Sequence, residues 1–122
     1  MPILQVELVG KPASGSGKLA RRIADSAAKV LGAAPGMVWV RLRVLPLGAY
    51  AECGGDLPKE LRPVFVNLLK AARPPAKALK KEALALARAV GKACGRPADN
   101  VHIFYDPPAA GRAAFGGRLM KK

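Results

Sequence analysis

Aromatic residues are scarce in this chain. Phe, Tyr and Trp supply 5% of its 122 residues while 51% are hydrophobic, so the core is expected to be aliphatic, built from Ala, Leu and Val. Cysteine is scarce as well. Cys53 and Cys94 stand far apart and in no motif spacing, which excludes a disulfide-stapled scaffold and points to a reducing, cytoplasmic setting. One histidine and two isolated cysteines make no ligand set, so neither a metal nor any other cofactor is expected. Long apolar runs are missing: none approaches the roughly 18 residues of a membrane span. No basic-then-apolar leader opens the sequence. A membrane is therefore not an expected partner.

Acidic residues are few, with 8 Asp+Glu against 21 Lys+Arg and a net charge of +13. Such a balance suits either a nucleic-acid binder or a solvated surface whose field attracts small anions. The cations are spread over two helical stretches and the tail, and no basic patch is interleaved with aromatics. The second reading is preferred, and nucleic acid is not the expected partner. Gly15-Ser16-Gly17-Lys18 hints at a phosphate loop, but the full pattern needs glycine at 12 and Ser or Thr at 19, where Pro12 and Leu19 stand.

What is present is alternation and punctuation. Met1-Pro2 leads directly into a strand over 3–9, with Leu4, Val6 and Leu8 on one face. Proline suits a strand's first position, where its missing N–H costs nothing. A Gly/Pro/Ser loop follows, then a helix over about 18–31 with Ser14 or Ser16 as N-cap and Gly32 just past its end. A strand over 37–45 alternates Val38, Val40, Leu42 and Val44 against Trp39, Arg41 and Arg43. The loop Tyr50-Ala51-Glu52-Cys53-Gly54-Gly55 comes next. Pro63 then opens an apolar run over 64–69, a helix spans about 76–94, and a strand covers 100–106.

The order repeats. Pro2 returns as Pro63, Gly32 as Gly95, Val38 as Val101, and Gly54-Gly55 as Gly116-Gly117, all at spacings of 61–63 residues. Each half reads β-α-β, and a right-handed crossover makes its two strands parallel. The expected fold is α/β (α+β): a tandem β-α-β repeat forming a four-stranded mixed sheet with two helices on one face. One domain covers 1–122, with repeat one at about 1–61 and repeat two at about 62–122. A chain this short leaves apolar surface uncovered, which favours oligomerisation.

The Met1-Pro2-apolar start, the stretch Lys29-Val30-Leu31-Gly32-Ala33-Ala34-Pro35, the Gly-Gly landmarks and Asn100-Val101-His102-Ile103-Phe104-Tyr105-Asp106 resemble the tautomerase superfamily over nearly the whole length. Each half looks like one subunit of 4-oxalocrotonate tautomerase. The fused length looks more like the macrophage migration inhibitory factor and 5-(carboxymethyl)-2-hydroxymuconate isomerase branches. The resemblance implies a tautomerase-like homotrimer. It also implies cofactor-free keto–enol isomerisation of a small anionic keto or enol acid, phenylpyruvate-like or hydroxymuconate-like. The base it implies is the amine of Pro2, free once Met1 is removed. Pro63 occupies the same place in the repeat but has no free amine.

The resemblance implies further pocket residues. Lys11 either grips a substrate carboxylate as a point charge or is a solvated loop lysine. His102 either orients the substrate carbonyl or is a packed interface histidine. Phe104 and Phe115 either wall the amine or are plain core aromatics, and Leu68 lines the pocket or sits in strand core. The family's turn lysine and pocket asparagine are replaced by Ala33-Ala34 and Phe104. Tyr50-Ala51-Glu52 with Leu57-Pro58 also resembles a dehalogenase branch in which a glutamate activates water, so a hydratase or hydrolytic dehalogenase is one alternative. A non-catalytic basic binding protein is the other.

Overall fold

Alternation decides the sheet. The structure, a computed structural model, describes residues 2–12, 17–55 and 62–121. Strands β1 (Ile3–Val9), β2 (Trp39–Leu45), β3 (Val64–Leu69) and β4 (Val101–Tyr105) form one sheet in the order β2-β1-β3-β4. β1 and β2 are parallel, as are β3 and β4, while β1 and β3 meet antiparallel at the centre. This is the expected tandem β-α-β sheet.

Helices α1 (Leu19–Leu31) and α2 (Ala76–Cys94) are the crossovers. They cover the face bearing Leu4, Val6 and Leu8 of β1 and Val64, Val66 and Leu68 of β3, all fully buried. Leu19, Ile23 and Ala27 of α1 and Leu86, Val90 and Cys94 of α2 complete that core. Each helix ends on a glycine with left-handed backbone, Gly32 at φ 63° and Gly95 at φ 71°, a conformation that a side chain would strain. The expected N-caps Ser14 and Ser16 lie outside the described residues. Lys18, at φ 64°, stands at the N-cap of α1 without a side-chain cap bond.

Two expected strands are shorter than the sequence suggests. β2 begins at Trp39 because a turn holds the Met37 N–H on the Ala34 carbonyl, 3.1 Å away. Asn100 closes a 3-10 turn (Ala98–Asn100) before β4, its N–H donating to Pro97 O at 3.0 Å. After β4 the chain returns over the end of β3. Ala109 N–H donates to Lys70 O at 2.8 Å and Ala110 N–H to Ala71 O at 3.2 Å. The hairpin β5 (Ala114–Phe115) and β6 (Arg118–Leu119) turns at Gly116-Gly117.

Gly91 faces the turn after α2. A Cβ there would lie 2.6 Å from the Arg96 carbonyl oxygen, a backbone atom with little room to move. The expected result for Gly91→Ala is a loss of about 1–3 kcal/mol by overpacking, in excess of the roughly 1 kcal/mol that alanine gains in helix propensity. Urea denaturation measures it, and an unchanged or raised midpoint contradicts the packing described.

Candidate active site

Pro2 enters β1 at the centre of the sheet. The Trp39 N–H donates to the Pro2 carbonyl at 3.1 Å, fixing the residue against β2. Its neighbour Ile3 lies opposite Trp39 on one side and Leu69 on the other. The Trp39 ring meets Phe115 edge-on, with centroids 5.8 Å apart, and the Trp39 indole N–H donates to Gly36 O at 3.1 Å. Pro2 thus stands at a rim set by apolar side chains from β1, β2, β3 and the terminal hairpin. Beside Leu69 lies a hollow of about 320 Å³ lined also by Asp106, Pro107, Arg112 and Ala113. Arg112 is a cation there that sequence reasoning missed. It lies in a loop and has no repeat counterpart of its own type, since Tyr50 occupies the matching place.

Of the expected pocket residues, only Phe115 joins Pro2 and Trp39 within one chain. Lys11 lies at the far end of β1, roughly 25–30 Å away at about 3.3 Å per residue. It lines a cavity of about 450 Å³ with Gly10, Leu47 and Arg62 instead. The reason is the antiparallel centre of the sheet: the residues after β1 lie beside Pro63, whose carbonyl accepts the Val9 N–H at 3.1 Å. His102 pairs with Phe65, and Phe65 with Glu7, so it is level with the middle of β1 and two strands away. Phe104 lies opposite Asn67 on the edge strand and is 52% exposed. Leu68 is fully buried on the helix side of β3, because Leu69 takes the opposite face by alternation.

The side of the sheet away from the helices is uncovered. Register aligns Arg41, Gln5, Asn67 and Phe104 in one row across it, and Arg43, Glu7, Phe65 and His102 in the next. The Phe65 ring stacks obliquely on His102 at 5.6 Å and on Tyr50 at 5.9 Å. The Tyr50 hydroxyl donates to Glu52 Oε2 at 2.5 Å, and this bond, followed by burial, raises the tyrosine's pKa. Glu52 therefore belongs with the Phe65 end of the sheet and is remote from Pro2. Its companion pair Leu57-Pro58 lies outside the described residues.

Under the sheet, Lys70 Nζ sits 2.6 Å from Glu82 Oε1, and the Tyr105 hydroxyl donates to Glu82 Oε2 at 2.8 Å. Burial, then the bond to Glu82, pushes the Tyr105 pKa well up, so that hydroxyl keeps its proton and ties α2 to β4. Burial likewise pushes the Cys94 thiol up, against the opposing pull of Arg96, which leaves Cys94 a packing residue. Among the described residues no group of His, Cys, Asp and Glu is placed to hold a metal, and no helix is long and apolar enough to cross a membrane.

The mixed four-stranded sheet of two β-α-β units is a tautomerase-like fold, shared with the solved structures that this chain matches. Neither a family model nor a curated protein matches the sequence. Solved structures do match. Pt0534 inactivated by 2-oxo-3-pentynoate has 19% identity and a TM-score of 0.74, with 97% of this chain and 95% of that one covered. The macrophage migration inhibitory factor of Oncomelania hupensis has 20% identity and a TM-score of 0.73, with 98% and 82% covered. A wild-type fused 4-OT, solved as a symmetric trimer, has 18% identity and a TM-score of 0.68, with 96% and 97% covered.

Proposed function

We infer that this protein is a cofactor-free keto–enol tautomerase of small 2-keto or 2-hydroxy-enoic acids, working as a homotrimer with Pro2 as its general base. The carrying observation is the placement of Pro2, at the head of the central strand and beside the apolar rim of Trp39, Leu69 and Phe115. Ketonisation takes a proton from an enol and returns one to carbon. One base of suitable pKa serves both steps when it is held against the substrate. Removal of Met1 frees the secondary amine. Apolar walls then disfavour its charged form and keep its lone pair available. Arg112 supplies positive charge near the same rim for a substrate carboxylate.

Similarity to Pt0534, which 2-oxo-3-pentynoate inactivates, supports this reading and suggests the reagent that tests it. An alkyne conjugated to a ketone accepts addition from an unprotonated amine. Intact mass should show loss of Met1 and one adduct per chain, and peptide mapping should place the adduct on Pro2. Labelling elsewhere, or a retained Met1 with full ketonisation of phenylpyruvate enol, rules the proline base out.

The trimer gives the uncovered sheet face its occupant, two further copies of the chain. Trp39 (43% exposed) and Phe104 (52% exposed) lie on that face, and the fused 4-OT of the same fold is a trimer. In such an assembly a neighbour's edge strand brings His102 and Phe104 to the Pro2 rim that they do not reach within one chain. Sedimentation should give a particle about three times the 12.7 kDa chain. Phe104→Glu should convert it to monomer, with ketonisation lost in the same step. A fully active Phe104→Glu monomer refutes the shared site.

A further inference from the structure

In sequence order the positive residues look dispersed, but helix geometry collects them. α1 and α2 each give one face to the sheet. Their outer faces expose Arg21, Arg22 and Lys29 on α1 and Lys77, Arg88 and Lys92 on α2. The acids of these helices scarcely oppose them: Asp25 is engaged by Arg21 at 3.2 Å, and Glu82 turns inward to Lys70 and Tyr105. Between the helices runs a groove of about 560 Å³. Arg22, Lys29 and Lys92 line it with one acid, Asp25, and with the small side chains of Ser26, Ala89 and Ala93, which leave room for close approach.

We propose that this helix layer is a docking surface for the phosphate backbone of duplex nucleic acid, bound without sequence preference. Basic side chains outnumber acidic ones on these two helices, and those of α2 are spread along its length. From Lys77 to Lys92 the helix rises about 22 Å at 1.5 Å per residue, which matches about six base pairs at 3.4 Å each. Single strands are bound through aromatic stacking platforms, and neither helix contains an aromatic residue. Membrane-surface helices bury a broad apolar face, whereas Leu84 is the exposed large apolar side chain on this layer. The surface lies on the side of the sheet opposite the proposed trimer contact, so it stays free in the assembly. It uses neither Pro2 nor the sheet face, and it stands or falls independently of the catalytic reading.

The test is fluorescence anisotropy of the full chain with a labelled, mixed-sequence DNA duplex of about 20 base pairs, between about 50 and 200 mM salt. Contacts to about four to six phosphates predict a slope of log affinity against log salt near −4 to −5. The double variant Arg88→Glu/Lys92→Glu should weaken binding more than about tenfold and flatten that slope by about two. Arg118→Glu/Lys121→Glu makes the same charge change on the terminal hairpin side. It should weaken binding much less, with thermal melts showing both variants folded. Four results overturn the proposal: equal weakening by the two double variants, no binding at the lowest salt, tighter binding of the single strand, or equally tight binding of poly-glutamate or phosphatidylserine vesicles.

Discussion

Pro2→Ala is expected to lower kcat/KM for enol ketonisation by about 10²–10⁴, the usual contribution of a positioned general base. The substitution leaves an amine at the chain start but removes the ring that fixes the lone pair at the head of β1. Only the transition-state proton transfer depends on that lone pair, so kcat should fall while KM changes little. In the wild type, kcat/KM should fall as pH drops below the amine's pKa, because the protonated ring nitrogen has no lone pair to accept a proton. Pro63→Ala is the matched control. Pro63 holds the same place in the second repeat, yet it lies mid-chain with its nitrogen in a peptide bond, and its replacement should leave ketonisation unaltered. If Pro2→Ala keeps wild-type activity, the base is elsewhere and the proposed chemistry fails.

The second large effect is on stability. Leu68→Ala is expected to cost about 2–5 kcal/mol, the range for truncating a fully buried leucine. Leu68 packs in the core between the sheet and the helices with no exposed surface. Its loss should lower the urea midpoint sharply and leave KM unchanged in the protein that remains folded. A pocket-lining Leu68 would give the reverse, a raised KM with little change in stability. Leu69→Ala distinguishes the two faces of β3, since Leu69 lies opposite Ile3 on the uncovered side and beside the Arg112 hollow. That variant should touch substrate binding more than folding.

Much of the architecture is legible in the sequence. Alternation in Leu4-Gln5-Val6-Glu7-Leu8 and the helical spacing of Leu86, Val90 and Cys94 report local periodicity, which the buried face obeys directly. The glycines at 32 and 95 mark the helix ends because the left-handed backbone there suits glycine. The repeat from Pro2 to Pro63 gave the β-α-β order of each half.

Site membership was less legible. Lys11 follows β1 closely in sequence, yet a strand carries its two ends apart, and the antiparallel pairing of β1 with β3 delivers Lys11 to Pro63. Leu68 and Leu69 are chemically alike, and their faces are set by register rather than residue type. Arg112 lies in a loop, where periodicity is silent, and only the return of the chain over Lys70 and Ala71 brings it to the Pro2 end.

By itself, then, the sequence determined the elements, their order and the proline at the head of the first strand, since these depend on patterns a few residues long. The tertiary structure decided which side chains share an end of the sheet, which face stays bare, and how the cations of two helices become one surface. Those are matters of strand pairing and packing between residues far apart in the chain, and no local pattern encodes them.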